Sequence, residues 1–434
     1  MSFKSSSRPG VVELKLMSPS GLKGRTFMGH MLERLLDHGF GFDGSSTGFA
    51  PIEDSDMLAM PCEESMVVLP ENVEGRETIL MMCDVFQGGK PSELSSRYIL
   101  HRIVDELKSK GLECYVGVEP EMYLFRKNSD GLEAFDDAGY MDVSPEDKAE
   151  EFKKGLIELL YKIGFNVIFS HHEVGPGQQE VVFEFDEPLR TADNLMLYKE
   201  IVRKYARGEG LEVTFMPKPL SGKAGNGLHV HMSLFKDGRN MFYDGNSYGC
   251  ISEYCKYFIA GILRHAMELS FIVSPTINSY KRLVPGHEAP VYICWGFGNR
   301  SALIRVPNYC TDEKSMRIEL RCPDSSCDPY LAFACVIAAG MEGVRKRLEP
   351  PQPVERNVYT AHEDLEELPR SLKHAIEIAE GSEFLRSVLG ERMLKTLIEI
   401  KRRECADYTA YLETTDEDLS DEITGWELRR YFNV

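Results

Sequence analysis

Residues 117–125 have the sequence GVEPEMYLF, in which apolar and aromatic side chains flank two glutamates. This pattern is typical of a buried β-strand. Side chains two apart on a strand point to the same face, so Glu119 and Glu121 project together. Two buried carboxylates repel each other unless their charge is compensated. A divalent cation would compensate both, whereas the alternative is a pair of salt-bridged or surface glutamates.

The composition is typical of an acidic globular protein. The chain has 434 residues, 43% hydrophobic and 27% charged, which is enough for two or three domains. A net charge of -19 and a pI of about 5.1 argue against non-specific binding to nucleic acid or anionic membranes. Neither a signal peptide nor a membrane-spanning apolar run is evident. Eleven cysteines without CxxC pairs indicate reduced thiols, so we expect a cytoplasmic protein.

Hydrophobic alternation predicts a small, strand-rich N-terminal domain over residues 1–90. Its elements are expected to be strands at 11–17, 22–28 and 79–86 and a short helix at 31–36. The glycine- and serine-rich stretch 39–46 is by itself typical of a turn. Residues 87–92 form the predicted boundary with a larger C-terminal domain, 91–434.

Two further regions place glutamates and histidines on strands. The predicted strands span residues 167–174, 179–185 and 225–233. The first two form a hairpin that brings Glu173 and Glu180 near its arms, and the third carries His229 and His231 on one face. Such a histidine pair is more often hydrogen-bonded inside a core than a set of metal ligands. The two glutamate-bearing strands weaken that interpretation here.

Five arginines lie in three neighbouring segments, at Arg282, Arg300, Arg305, Arg317 and Arg321. The first belongs to a long loop, predicted to be irregular over 278–290, and loops of that length inside a domain are usually functional. The others lie on predicted strands or beside them, where any one could be a solvated edge residue. Together they are typical of a clamp for polyphosphate and carboxylate groups.

The remaining periodic segments predict helices. They span residues 98–110, 147–164, 199–208 and 329–346, with further amphipathic helices over 365–412. Near the end of the chain, residues 426–432 form an apolar surface. That surface docks either on another subunit or on its own domain.

Seven motifs follow one another in a specific order: FDGSS (42–46), GVEPEMYLF (117–125), HHEVGPGQQE (171–180), GNGLHVHMSL (225–234), NSYKRLVPGHEAP (278–290), NRSALIRVP (299–307) and RIELRCPDSSCDPY (317–330). From about residue 14 to residue 432 the chain thereby resembles class I glutamine synthetases, the glutamate–ammonia ligases. The resemblance implies an α+β fold with a small N-terminal β-grasp-like domain. It also implies a large C-terminal catalytic domain with a curved antiparallel sheet and surrounding helices.

The implied reaction is the ATP-dependent ligation of ammonia to the side-chain carboxylate of L-glutamate. It proceeds through γ-glutamyl phosphate and gives L-glutamine, ADP and phosphate. The resemblance further implies two divalent cations, Mg²⁺ or Mn²⁺. The ligands of the more tightly bound cation match Glu121, Glu173 and Glu180. The ligands of the second cation match Glu119, His229 and Glu319. Carboxylates with a single imidazole suit these cations better than zinc.

Other positions match residues that bind the substrates in this family. The residues on the nucleotide side are Phe185, His231, Ser233, Lys314 and Arg317. Arg282 and Arg321 match residues that hold the carboxylates of glutamate, and Gly225 lies on the loop that takes its amino group. Arg300 and Arg305 match residues that stabilise phosphoryl transfer.

Asp43 matches the residue that takes a proton from ammonium. The remaining positions that match the ammonium pocket are Ser46, Tyr140, Glu173 and Glu288, the last on a loop that resembles the family's flap. In the family the N-terminal domain reaches the active site of a neighbour. The resemblance therefore implies a homo-oligomer, a dodecamer of two hexameric rings with active sites between subunits.

The chain departs from the family pattern at several positions. Ala224 stands where most members of the family have Asn, and Ile168 stands where they have a glutamate near the nucleotide. Residues 296–298 (GFG) replace a run of the Ser-Ala-Arg type that lies by the adenine. Pro51 stands where one subclass has a glutamine-sensing arginine. Two alternatives stay open: a ligase that joins glutamate to an amine or polyamine, and a non-catalytic regulatory relative. Amine and polyamine ligases usually lose the Asp-Gly-Ser-Ser residues, which this chain keeps. A non-catalytic relative has no need of six metal ligands, all of which are present here.

Overall fold

A computed structural model describes residues 10–129, 131–286, 289–362, 364–417 and 423–434. Their strands form a seven-stranded and a ten-stranded sheet. The first contains β1 (Val11–Ser18), β2 (Gly21–Met28), β3 (Phe40–Asp43), β4 (Asp56–Pro61), β5 (Val67–Leu69), β6 (Thr78–Gln87) and β7 (Lys90–Pro91). The second contains β8 (Glu113–Asn128), β9 (Gly131–Ala134), β10 (Val167–His172), β11 (Gln178–Phe183), β12 (Glu212–Thr214), β13 (Leu228–Lys236), β14 (Arg239–Asn240), β15 (Trp295–Phe297), β16 (Ile304–Val306) and β17 (Ile318–Leu320).

The helices of the described ranges cover the ten-stranded sheet and join the two sheets. They are α1 (Leu32–His38), α2 (Glu71–Glu74), α3 (Ser96–Ser109), α4 (Glu150–Lys162), α5 (Pro188–Gly208), α6 (Glu253–Arg264), α7 (Ala266–Val273), α8 (Ser279–Arg282), α9 (Pro329–Lys346), α10 (Leu372–Gly381), α11 (Glu383–Leu389), α12 (Glu391–Thr414) and α13 (Gly425–Tyr431). None of them has the length and apolar composition that a bilayer-spanning helix needs.

The N-terminal sheet has the strand order β2-β1-β6-β4-β3, in which β1 and β6 run parallel. Along β1 the side chains of Val12, Leu14 and Leu16 are buried and alternate with half-buried neighbours, as the sequence pattern predicts. The edge strand β3 ends at Asp43, which is exposed. This arrangement places Asp43 at the rim of the sheet.

The larger sheet has the order β10-β11-β8-β13-β17-β16-β15, with β8 and β13 near its middle. Except for the parallel pair β15–β16, the strands along this order are antiparallel. Pairing in register places His229 opposite Glu119 and His231 opposite Glu319. The α+β fold with a mainly antiparallel catalytic sheet is confirmed.

Helix α9 has the bounds that the sequence predicts, because its start is specified locally. Asp328 accepts hydrogen bonds from the backbone amides of Tyr330 (2.9 Å) and Leu331 (3.4 Å), and Pro329 occupies the first helical turn. Helix α4 begins at Glu150, later than predicted. The reason is that Asp147 forms a turn, accepting a hydrogen bond from the Ala149 amide at 2.9 Å.

Two other predictions differ from the structure: one helix was predicted too short, and one helical segment was predicted to be irregular. Helix α5 has 21 residues and begins at Pro188, eleven residues before the predicted start, because its buried face continues through the additional turns. The segment predicted to be an irregular loop over 278–290 begins with the short helix α8. A helix this short is not evident from periodicity.

The C-terminal helix docks on its own domain, one of the two alternatives left open by the sequence. The Phe432 ring lies 5.8 Å from the Phe125 ring, and the Trp426 ring lies 5.1 Å from the Tyr408 ring. Tyr431 is buried. Apolar burial therefore holds the end of the described chain against the catalytic sheet.

Arg97 on α3 joins the two sheets through a buried network. Its Nε and Nη2 each donate to Asp193 of α5 at 3.0 Å, and its Nη1 donates to Asp84 of β6 at 2.5 Å. The Tyr330 hydroxyl donates to Asp193 at 2.6 Å. Such a two-pronged arginine–carboxylate pair fixes both distance and orientation.

We expect Arg97→Met to lower the free energy of unfolding by about 3 kcal/mol, because it leaves the carboxylate of Asp193 buried without a cation. Thermal unfolding followed by calorimetry measures the change. The control is Lys108→Ala, which removes an exposed ion pair with Glu187 (2.8 Å) and costs less than about 1 kcal/mol. Equal effects of the two substitutions would contradict the role given to Arg97.

Candidate active site

The first acidic cluster consists of Glu119, His229 and Glu319 on three adjacent strands. His229 Nδ1 lies 3.2 Å from Glu119 Oε2 and 3.7 Å from Glu319 Oε1. One ligand atom from each residue falls within 4.8 Å of the other two. The register of β8, β13 and β17 therefore brings together the three residues that match one family ligand set.

The second cluster consists of His171, Glu173 and Glu180 on and beside the β10–β11 hairpin. His171 Nε2 lies 2.8 Å from Glu173 Oε1, and His171 Nδ1 lies 3.8 Å from Glu180 Oε1. Ligand atoms of these three residues also lie within 4.8 Å of one another. The sequence analysis did not single out His171. Counting the register back from the turn would have found it, because His171 pairs with Glu180.

Glu121 borders both clusters. It lies opposite Glu180 in register, and its Oε1 is 3.9 Å from His229 Nε2. Its Oε2 accepts hydrogen bonds from Gln178 Nε2 at 3.0 Å and from the Gly227 amide at 2.8 Å. These donors hold Glu121 in place between the two groups of potential ligands.

The buried carboxylates of the site differ in protonation. Burial, together with the nearby Glu173, raises the pKa of Glu121 to about 8. Burial and the charges of Glu119 and Glu121 raise the pKa of Glu180 well above its ordinary value. These two carboxyls resist ionisation because they are crowded and desolvated. The site combines carboxylate oxygens with an imidazole, and the negative charge of these two carboxylates is not fully balanced by the cationic side chains of the described residues. Such a set of ligands fits Mg²⁺ or Mn²⁺.

Basic side chains compensate two other carboxylates: His231 and His229 hold the pKa of Glu119 well below its ordinary value despite burial, and the second carboxylate is Glu319. Burial alone would raise the pKa of Glu319, but Arg321, His231, His229 and Arg305 outweigh it and lower that pKa to about 2. Both arginines contact Glu319 directly. Burial and Arg321 lower the pKa of His229, which favours the neutral imidazole that a metal ligand must be.

Arg282 is buried beside this site and is held by the backbone. Its Nη1 donates to the carbonyls of Cys322 (2.9 Å) and Pro323 (3.1 Å), and its Nη2 donates to the carbonyl of Arg321 (3.1 Å). A Cβ atom at Gly227 would lie 2.7 Å from Arg282 Nη2, so only glycine permits this approach. The loop is therefore packed against the Arg282 side chain, with Gly225 at its aliphatic stem and Gly227 at its guanidinium.

The substitution at Ala224 leaves the path of that loop supported. The Tyr123 hydroxyl donates to the Ala224 carbonyl at 2.6 Å, and Gln178 Nε2 donates to the Gly225 carbonyl at 3.1 Å. Both contacts use backbone oxygens. The loop is held without a side chain at position 224.

A cavity of about 660 Å³ adjoins Arg321. Its lining includes Arg300, Arg321, Asn308, Tyr248, Phe297 and Gly298. Gly298 has a φ of +61°, and a Cβ there would lie 2.4 Å from the side-chain nitrogen Nδ2 of Asn308. The Phe297 ring lies 5.2 Å from the Tyr248 ring. The departure from the family at residues 296–298 thus forms an aromatic wall and a turn that requires glycine.

Three of the residues that match the family's nucleotide side lie together beside Glu119. His231 Nε2 is 3.0 Å from Glu119 Oε1, and Arg317 Nε is 3.3 Å from His231 Nδ1. Phe185 is 60% exposed, and its Cβ lies 3.3 Å from a Cβ built at Gly117, the residue opposite His231. An exposed aromatic ring is suited to stacking on a bound ring system.

The other residues of that group occupy different surroundings. Ser233 lies on β13 opposite Tyr115, and Lys314 lies in a loop where its amide donates to Asp312 at 2.9 Å. Tyr309, which the sequence analysis did not single out, lies near two arginines. Its ring centroid is 5.8 Å from the guanidinium of Arg305 and 5.5 Å from that of Arg317.

The residues that match the ammonium pocket fall in two places. The Asp43 carboxylate accepts hydrogen bonds from the Ser46 hydroxyl (2.5 Å), the Ser45 hydroxyl (2.7 Å) and the Ser45 amide (2.8 Å). These bonds, led by the one from Ser46, hold the pKa of Asp43 below its usual range. Tyr140 is elsewhere, edge-on to His171 at 5.2 Å and thus beside Glu173. Glu288 lies outside the described residues.

Comparison with known proteins agrees with the fold. The protein-family model of the glutamine synthetase β-grasp domain matches residues 11–88 of this chain. The family model of the glutamine synthetase catalytic domain matches residues 93–420. The glutamine synthetase of Pyrococcus abyssi is 42% identical over 98% of this chain and 97% of its own length. The glutamine synthetase of Thermotoga maritima is 42% identical over 91% of this chain and 90% of its own length.

Solved structures also match nearly the whole chain. A GmaS complex with ADP is 27% identical, with a TM-score of 0.86 over 98% of this chain and 97% of its own. A Plasmodium falciparum glutamine synthetase is 24% identical and has a TM-score of 0.83 over 99% of this chain and 97% of its own. This match shows that the two proteins share a fold. On the domain matches and the identity to these relatives, the chain belongs to the glutamine synthetase family.

Proposed function

We propose that this chain catalyses the ATP-dependent ligation of ammonia to the side-chain carboxylate of L-glutamate through γ-glutamyl phosphate. The observation that carries the proposal is the carboxylate and imidazole cluster on β8, β13 and β17, in a chain 42% identical over nearly its full length to glutamine synthetases. Phosphorylation is needed because oxide is a poor leaving group from a carboxylate.

The family's use of ATP and divalent cations assigns roles to two sets of ligands drawn from these clusters and from Glu121. Glu121, Glu173 and Glu180 would hold one Mg²⁺ or Mn²⁺, and Glu119, His229 and Glu319 would hold a second. When bound, such cations neutralise phosphate charge and the crowded carboxylates together. Arg300 and Arg305 supply further positive charge, while Phe185, His231, Ser233, Lys314 and Arg317 bind the nucleotide.

Glutamate is held by Arg282, Arg321 and the loop at Gly225. The three carbonyls that bind Arg282 fix the direction of its remaining N–H groups. Within the described residues, Arg321 Nε and Arg305 Nε are buried without a hydrogen-bond partner. A buried unpaired donor is costly, and a carboxylate or phosphate oxygen of the substrates would satisfy it.

Ammonium binds between Asp43 and Ser46 on one side and Tyr140 and Glu173 on the other, and Glu288 matches a further residue of the family's ammonium pocket. The lowered pKa keeps Asp43 ionised and able to attract the cation. Burial at a subunit interface would raise its pKa towards that of a useful base. From the resemblance to the family we further propose a cytoplasmic homo-oligomer, a dodecamer of two hexameric rings, in which Asp43 completes the site of a neighbouring subunit.

Incubation of the full chain with ATP, Mg²⁺, glutamate and ammonium tests the activity. We expect phosphate release and glutamine, identified by mass, only when all four are present. An amide formed with methylamine or putrescine but not with ammonium would support the amine-ligase alternative. No phosphate release with any nitrogen donor would support the non-catalytic alternative.

We expect Asp43→Asn to raise the apparent KM for ammonium at least about tenfold, because it removes the charge that attracts the cation. The KM for ATP should stay near that of the wild type. Asp56→Asn is the matched control, since Asp56 is an exposed carboxylate opposite Asp43 on β4. An unchanged ammonium KM in Asp43→Asn would refute the assignment.

Glu180→Gln should raise the Tm of the metal-free protein, because it removes a carboxylate that burial and its neighbours destabilise. The pKa of Glu180 is raised in the folded state, so the gain is small near pH 4.5 and grows as pH rises. Mg²⁺ should raise the Tm of the wild type and have little effect on the variant.

The matched control for this prediction is Glu184→Gln, an exposed glutamate just beyond the same strand. It should leave both the metal-free Tm and the Mg²⁺ response unchanged. An equal Mg²⁺ response in wild type and Glu180→Gln would show that Glu180 is not a ligand.

A further inference from the structure

We infer that Glu427, on the C-terminal helix α13, is a positioning residue for the glutamate substrate. It acts through α8, the short helix that carries Arg282. This inference rests on the proposed role of Arg282 and Gly225 in binding glutamate.

Glu427 is fully buried and has several partners on its own helix and on α12. Its Oε2 accepts hydrogen bonds from the Thr424 amide at 3.0 Å and the Thr424 hydroxyl at 2.9 Å. The Glu427 amide donates back to the Thr424 hydroxyl at 3.3 Å, which completes a capping box. The Tyr408 hydroxyl lies 3.4 Å from the same carboxylate.

The carboxylate also reaches across to α8. Asn278 Nδ2 donates to Glu427 Oε1 at 3.0 Å, and Lys281 Nζ donates to Glu427 Oε2 at 2.5 Å. Asn278 precedes α8 and Lys281 precedes Arg282 within it. A helix of four residues has little stability of its own, so its orientation depends on contacts of this kind.

The loop that ends at Gly225 is tied to the same residues. Asn278 Oδ1 accepts from the Lys218 amide at 2.7 Å, and its Nδ2 donates to the Lys218 carbonyl at 3.0 Å. A Cβ at Gly225 would lie 2.8 Å from Arg282 Cγ, so loop and helix are in close contact. One carboxylate on α13 therefore sets the relation between the two segments proposed to hold glutamate.

Glu404 provides a matched control in the same part of the molecule. It is also a buried carboxylate, and it accepts a hydrogen bond from the Tyr431 hydroxyl of α13 at 2.7 Å. Its ion-pair partners are Lys401 and Arg430. It therefore supports α13 through contacts that do not involve α8.

The test compares Glu427→Gln, Lys281→Met and the double variant in the full chain. We expect each single substitution to raise the KM for glutamate about tenfold, with the KM for ATP and kcat at saturating glutamate close to wild type. The double variant should be no worse than either single variant, because both remove one interaction. Glu404→Gln should keep the wild-type KM for glutamate even where it lowers Tm.

A second readout does not depend on turnover: the glutamate concentration that gives half of the maximal rise in Tm should increase in parallel. A lowered Tm with unchanged glutamate KM and glutamate protection in both single variants would overturn the inference. If Glu427→Gln does not fold, Lys281→Met alone decides the outcome. Failure of the proposed function is distinct, since the wild type would then form no glutamine.

Discussion

Electrostatic repulsion among carboxylates gathered in one sheet is the constraint on which the site depends. Glu119 and Glu121 project from β8, Glu180 lies on the neighbouring strand β11, and Glu319 lies on β17, beyond β13. The sheet separates them into two classes: Arg305, Arg321 and the histidines keep Glu319 and Glu119 ionised, whereas burial and crowding favour protons on Glu121 and Glu180. Side chains of the protein partly compensate the first class before any cation binds, whereas the charge of the second class depends on cations that bind from solution.

Such a site needs a scaffold that does not relax when the charges repel. Long elements provide it: β8 and β13 pair over eight residues, and α5 and α9 run across the fold. The segments around the proposed glutamate site are different, since α8 and the loop at Gly225 are short and are held by side-chain contacts. Rigidity at the metal ligands is a property of the sheet, whereas order around Arg282 depends on individual hydrogen bonds.

Sequence reasoning succeeds here where structure is specified locally. The alternation in β8 and the Asp328 cap with Pro329 at the start of α9 are sufficient to place those elements, and a period of two is sufficient to put Glu119 and Glu121 on one face. It fails where the outcome depends on partners distant in sequence. His171 faces Glu180 because of the hairpin register, and α8 exists because of tertiary contacts. The roles of the site residues came from resemblance to a family and not from periodicity.

Asp43 shows how far one chain goes towards the proposed chemistry. Its hydrogen bonds to Ser45 and Ser46 keep it exposed at the edge of the N-terminal sheet, while Glu173 and Tyr140 belong to the catalytic sheet. An exposed carboxylate with a lowered pKa binds a cation but is a weak base. Desolvation would raise that pKa, and a second subunit closing over Asp43 would supply it. Under the proposed function, assembly would then be coupled to deprotonation of ammonium through the position of Asp43 at the rim of the N-terminal sheet.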